Sequence, residues 1–328
     1  MNYELAFNFL LIGVGIFILI RSGTYLVRSL IEIARFLRVS EFTLSFILMA
    51  FATTLPELTI GVNSALRGQP LISLGNVLGA NILNLSLTLG FIALISGQLA
   101  IGLKPKEIAA SHHWLTFFLG ISPLFFLVDL KLSRLEGAIL IALFLIYLAK
   151  LIHLREVFRE GKSFWLSHLH HPVGFGVKNF FKNLIIFAVA VGFLLLSASI
   201  IIKGAEVVSL KTGASQLLVG IFIVAFGTTL PELFFGLKAA LSRHAELSLG
   251  NLFGATALNS TWILGLAALI SPIQIKQPLP FFISAITMIL VLFLANLFLQ
   301  TREAISRKEG VVLMLIYFIF LIIQLSLI

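Results

Sequence analysis

The sequence predicts an all-α membrane protein in which ten transmembrane helices form two five-helix repeats of inverted topology. Three observations carry that expectation. Of the 328 residues 59% are hydrophobic and 11% are charged, with 31 Phe, so the apolar surface is too large for one soluble core. Apolar stretches of about 20 residues, the length that crosses a bilayer, recur along the chain. A forty-residue stretch at 51–90 also recurs without a gap at 226–265, with twenty of the forty aligned positions identical.

The expected spans are 5–30, 43–66, 72–97, 108–128, 133–152, 180–207, 215–240, 247–270, 279–300 and 310–328. The first has Glu4 before it and Arg21 and Arg28 after it, with no basic leader and no small-residue cleavage site, so it reads as a retained helix. The spans divide into a first repeat, 1–152, a connecting loop, 153–179, and a second repeat, 180–328. Because each repeat holds an odd number of helices, the second runs opposite to the first. The loop carries His168, His170 and His171, whose irregular spacing without nearby carboxylates reads as a solvated or headgroup segment and not as a metal site. Phe164, Trp165 and Leu166 beside them read as an interfacial anchor.

Charge sets the orientation. With alternating helices, sixteen of the 23 Lys and Arg residues fall on one side and five on the other, while Arg21 and Lys203 lie within helices. The positive-inside rule places the richer side, with loop 153–179, in the cytoplasm and the N-terminus outside. The formal charge of +9 therefore reports topology, and no nucleic-acid partner is implied. The chain has no cysteine, which excludes disulfides and thiolate metal sites. No obligatory protein partner is evident; the bilayer is the medium.

The repeated stretch carries the chemistry. Its copies open on ATTLPEL (52–58) and GTTLPEL (227–233), which place Glu57 and Glu232 inside hydrophobic sequence. An ionisable side chain at this depth is costly and marks an ion or proton pathway. Thr53 and Thr54 precede Glu57 by four and three residues, so their hydroxyls share its side of a helix, as do Thr228 and Thr229 with Glu232. Pro56 and Pro231 have no N–H and release the carbonyls of Ala52 and Gly227. A released carbonyl is tolerated in a membrane where it lines a polar cavity, and a cation is a suitable partner for it.

The next helix of each copy adds a polar face: Ser73, Asn76, Ala80 and Asn84 in the first, and Ser248, Asn251, Ala255 and Asn259 in the second. Gly75 with Gly79, and Gly250 with Gly254, allow another backbone to approach closely. Two carboxylates among hydroxyls, amides and carbonyls form a cage of hard oxygens. Such a cage suits Ca2+, which takes six to eight oxygens in flexible geometry. Its two negative charges balance one divalent ion, monovalent cations or protons, and competition for one cage is a physical basis for exchange. A passive channel would use the same acids as a filter. An enzyme is not indicated, since there is no HExxH and no serine elbow.

With its two motifs, ATTLPEL with GNVLGANILN and GTTLPEL with GNLFGATALN, the chain resembles the calcium/cation antiporter superfamily, within it the prokaryotic sodium/calcium exchangers. The resemblance implies a secondary antiporter of a prokaryotic plasma (inner) membrane with no cofactor, whose substrates are Ca2+ and Na+ or H+. It implies Glu57 and Glu232 as central cation ligands, with Thr53, Thr54, Thr228 and Thr229 beside them and Asn84 and Asn259 completing the site. It also implies that helices one and six slide as a unit across the other eight. Where such exchangers commonly carry a Gly-Ser-Asn triplet in each repeat, this chain has Ala80 and Ala255 at the serine positions. Two hydroxyls expected to coordinate Na+ are thus missing, which keeps H+ as the alternative coupling ion. Thr256 stands where the first repeat has Asn81, and Asn259 where some relatives have Asp.

Overall fold

The computed structural model describes residues 3–36, 51, 53–100, 106–158, 177–241, 245–302 and 304–327. The first half opens with α1 (Tyr3–Phe36) and continues with α2 (Leu55–Leu66) and α3 (Pro70–Leu83). A π-helical turn, Asn84–Thr88, joins α3 to α4 (Leu89–Ser96) in one continuous span. Then come β1 (Gln98–Ala100), α5 (Lys106–Phe126), β2 (Lys131–Leu132) and α6 (Arg134–Phe158).

The second half opens with α7 (Val177–Thr212) and α8 (Gln216–Val219). A π turn, Gly220–Val224, leads to α9 (Ala225–Thr228), followed by α10 (Leu230–Leu241) and α11 (Ala245–Leu258). Another π turn, Asn259–Ile263, leads into α12 (Leu264–Ile270) and β3 (Ile273–Gln274). The chain finishes with α13 (Pro278–Arg302), β4 (Ala304–Ser306) and α14 (Arg307–Leu325).

The sequence repeat is a structural repeat. Helix α10 begins 175 residues after α2 (230 against 55), and the π turn at Asn259 begins 175 residues after the one at Asn84. Helices α6 and α14 each open on a Ser-x-x-Glu capping arrangement, Ser133 with Glu136 and Ser306 with Glu309. Pairing crosses between the halves: β1 is antiparallel to β4 with Leu99 opposite Ile305, and β2 to β3 with Leu132 opposite Ile273. The strand after the motif helix of each half therefore pairs with a strand of the other.

Among the described residues six helices are long and apolar enough to cross a membrane, or seven if the bent pair Gln216–Thr228 and Leu230–Leu241 is one span. Seven of the ten expected spans are recovered in this way. Of the other three, 43–66 begins in residues outside those described, 108–128 contributes the shorter apolar helix Trp114–Asp129, and 133–152 lies within α6. Helix α6 continues to Phe158 and α7 starts at Val177, and residues 159–176 of the expected connecting loop lie outside those described. Its histidines and Phe164, Trp165 and Leu166 lie outside the described residues. Phe125, Leu135, Ile185, Ile286 and Ile322 point outward and are each more than half exposed, as side chains solvated by lipid would be.

Among the described residues there are two main cores and a smaller one of Leu119, Phe144, Tyr147, Ala257 and Leu258. The larger is built on Leu74, Leu78, Leu89, Leu252, Leu264, Met288 and Leu313, drawn from α3, α4, α11, α12, α13 and α14. A separate one joins α1 to α7 through Ile12, Leu19, Leu26, Leu194, Ile201 and Ile202. These two helices are antiparallel: Gly15 of α1 packs against Ile201 of α7, and Gly204 of α7 against Ile12 of α1. Ile60, Ile72, Val219 and Val224 complete the second core from the motif region, an apolar contact.

Candidate cation site between the repeats

Proline chemistry positions the acids. The helix carrying each motif breaks one residue before its Leu-Pro-Glu, at Thr54 (φ −86°, ψ 2°) and at Thr229 (φ −83°, ψ −4°). In the second half this turns the axis by 42°. Past the break the backbone resumes, with the Leu58 N–H donating to the Thr54 carbonyl at 2.9 Å and that of Leu233 to the Thr229 carbonyl at 3.1 Å. Glu57 and Glu232 thus sit in the first turns of α2 and α10, where the helix dipole favours negative charge. Both side chains are fully buried, and among the described residues none of their four carboxylate oxygens accepts a hydrogen bond. They lie within electrostatic reach of each other.

The threonines divide into two pairs. The hydroxyl of Thr53 donates across the halves to Asn251 Oδ1 at 3.0 Å, and that of Thr228 to Asn76 Oδ1 at 3.0 Å. These contacts mirror one another, each joining a motif helix to the polar face of the opposite repeat. Thr228 stands beside Glu57 and Thr53 beside Glu232. Thr54 and Thr229 spend their protons on their own helices, on the carbonyls of Phe51 at 3.2 Å and Ala225 at 2.9 Å. All four hydroxyls therefore keep oxygen lone pairs to offer while their protons are engaged elsewhere.

Asn84 and Asn259 each begin a π turn, an irregularity that often marks functional sites. Asn84 is fully buried with both amide atoms unpartnered, and Asn259 leaves its Oδ1 unpartnered. Of the two carbonyls expected to be released by proline, Ala52 lies outside the described residues. Gly227 is the last residue but one of α9, and a Cβ there would run into the side chain of Ile16 of α1.

The structure adds a link that sequence spacing did not single out. Asn81 donates to Ser260 Oγ at 2.8 Å and accepts from Asn259 Nδ2 at 3.1 Å. It thereby fixes the amide of Asn259 with the oxygen free. Thr256, its counterpart, is too short to do the same and bonds to the Leu252 carbonyl of its own helix at 2.9 Å. Asn81→Ala leaves Ser260 and Asn259 each short of a hydrogen bond and is expected to cost about 1–3 kcal/mol. A lower melting temperature of the purified protein checks this.

Two buried acids, each beside a threonine of the other half and without a hydrogen-bond partner among the described residues, stand where the backbone breaks, an arrangement suited to a membrane ion transporter. The chain belongs to the sodium/calcium exchanger family: the family described as "Sodium/calcium exchanger protein" matches residues 7–152 and 182–326. It is 27% identical to the sodium/calcium exchanger MaX1 of Methanosarcina acetivorans, over 96% of this chain and 98% of that protein. It is 25% identical to the inner membrane protein YrbG of Escherichia coli, over 81% and 80%. In fold it matches the solved structure of the sodium-calcium exchanger NCX_Mj with a TM-score of 0.63, at 24% identity, covering 97% of this chain and 98% of that one. The chain is accordingly an integral membrane protein of an antiporter family.

Proposed function

We propose that the chain exchanges Ca2+ for Na+ by alternating access to one site built from Glu57 and Glu232. Thr53, Thr54, Thr228, Thr229, Asn84 and Asn259 supply further oxygens, as does the carbonyl of Gly227; Ala52, the other carbonyl expected to contribute, lies outside the described residues. The observation that carries this reading is the pair of fully buried carboxylates with no hydrogen-bond partner among the described residues. A carboxylate in that setting is costly unless an ion or proton neutralises it. Two such groups match one Ca2+ in charge, or two monovalent ions.

The protein reads as ten spans in two inverted five-helix repeats, 1–152 and 180–328, with loop 153–179 in the cytoplasm and the N-terminus outside. A prokaryotic inner membrane fits the positive-inside bias, and the naming of YrbG supports it. Helices α1 and α7, packed on each other by their own core and on the rest by an apolar contact, are the pair that slides to open the site to alternate sides.

Exchange of Ca2+ for H+ is the second reading, favoured by Ala80 and Ala255, both fully buried. Ca2+ uptake into sealed proteoliposomes separates the two. An outward Na+ gradient at constant pH is expected to drive accumulation of Ca2+ above its external concentration. Accumulation driven by a proton gradient alone would establish H+ as the coupling ion, and equilibration without accumulation would mean a channel. Restoring the hydroxyls in Ala80→Ser with Ala255→Ser is expected to lower the Na+ concentration that half-saturates exchange by about ten-fold, the scale of about 1.4 kcal/mol. An unchanged Na+ dependence would place those positions outside the site.

A further inference from the structure

Buried serines in this protein have a cheap way to satisfy their hydroxyls. Ser22, Ser29, Ser64, Ser122, Ser197 and Ser284 each donate to a carbonyl three or four residues back on their own helix. Ser73 and Ser248 are fully buried, stand at equivalent positions of the two repeats, and have no hydrogen-bond partner among the described residues. Each hydroxyl instead faces a glycine of the preceding helix. A Cβ on Gly61 would come within 3.1 Å of Ser73 Oγ, and one on Gly236 within 3.0 Å of Ser248 Oγ. Gly61 lies four residues after Glu57, and Gly236 four after Glu232, so each hydroxyl sits one helical turn from an acid on the acid's own face. In the first repeat the polar line continues outward to Gln69, whose buried Oε1 is also unpartnered.

We propose that Ser73 and Ser248 are transit ligands for the cation, one on each route between the central site and the membrane surfaces. The inference rests on the antiporter reading and its inverted topology. Helix α2 runs from Glu57 toward Leu66 and α10 from Glu232 toward Leu241, so inversion sends Ser73 toward the outside and Ser248 toward the cytoplasm. The oxygen lone pairs at each station take the place of one water of a partly dehydrated cation, and the side chains of Ile263 and Ile92, which close the space beside Gly61 and Gly236, must give way as it passes. The ligand class is a small hard cation, Ca2+ or the monovalent ion exchanged for it.

The cysteine-free chain allows a direct test. Ser73→Cys and Ser248→Cys are placed in right-side-out and in everted membrane vesicles and treated with a membrane-impermeant cationic methanethiosulfonate. Ser73→Cys is expected to react in right-side-out vesicles and Ser248→Cys in everted ones. Ca2+ at about ten times its half-saturating concentration is expected to slow both reactions by about ten-fold. A packing serine would react from neither face. No reaction, reaction of both variants from the same face, or rates indifferent to Ca2+ would overturn the inference. Gradient-driven Ca2+ uptake by the unmodified protein is measured in the same vesicles. Its presence alongside any of those results would leave the antiporter standing and remove the transit ligands alone, whereas its absence would remove both.

Discussion

Replacing Glu57 or Glu232 by glutamine is expected to abolish Ca2+ transport while leaving the protein folded. The two effects have one cause. Glutamine keeps the shape of the side chain and removes the charge, and neither carboxylate holds a hydrogen bond that the change would break. The folded state therefore loses a desolvated charge, and the melting temperature should stay level or rise. For a bound cation the same change removes a charged ligand from a water-poor cage. An interaction of about 3–5 kcal/mol corresponds to a loss of about two to four orders of magnitude in affinity. Initial rates of Ca2+ uptake in proteoliposomes, beside thermal unfolding of the same preparations, check both halves of the expectation. Uptake at the unmodified rate in either variant would refute the assignment of that residue.

The largest effect on stability is expected at Gly75. A Cβ there would run into the Leu217 carbonyl oxygen and reach to 3.0 Å from Gly220 Cα and 3.1 Å from the Ile221 nitrogen. From the other side, a Cβ on Gly220 would lie 2.7 Å from the Ile72 carbonyl oxygen and 3.0 Å from Gly75 Cα. The obstacles are backbone atoms of α3, of α8 and of the π turn that follows it, so no rotamer relieves the clash. Close contact of this kind is a main source of helix association in lipid, where burying apolar surface gains little. Gly75→Val must part the helix that carries Asn76 from the one that carries Thr228, and is expected to cost about 3 kcal/mol. It should also break the Thr228 to Asn76 hydrogen bond and with it the uptake of Ca2+. Melting temperature and yield of folded protein report the loss; a variant as stable as the parent would show that these backbones do not meet.

The offset of 175 residues, the breaks before Pro56 and Pro231 and the polar faces of the following helices were legible in the sequence because each follows from local rules. Proline lacks a donor wherever it stands, and residues three and four apart share a helix face in any fold. The acids were legible through their cost: hydrophobic sequence does not carry a glutamate twice in matched surroundings without a partner for it. The link from Asn81 to Ser260 and Asn259 was not legible, because it depends on how two helices cross. So was the difference between the hydroxyls of Thr53 and Thr54, one reaching across the halves and the other returning to its own helix. Ser73 and Ser248 were visible as part of a stripe, but their lack of partners emerges once the neighbouring helix and its glycine are in place. Helix α2 is a short piece beyond a break, and the residues expected to open its span lie outside those described.

Ca2+ and its coupling ion are expected to occupy one cage in turn. Equilibrium binding of radiolabelled Ca2+ to the purified protein, titrated with Na+ at fixed pH and with H+ in Na+-free buffer, is the decisive measurement. At least one of the two is expected to raise the Ca2+ concentration needed for half-saturation without lowering the number of Ca2+ bound at saturation, and Glu57→Gln should bind no Ca2+ in the same range. Ca2+ binding that neither ion displaces, or that persists in Glu57→Gln, would contradict a shared site between the repeats.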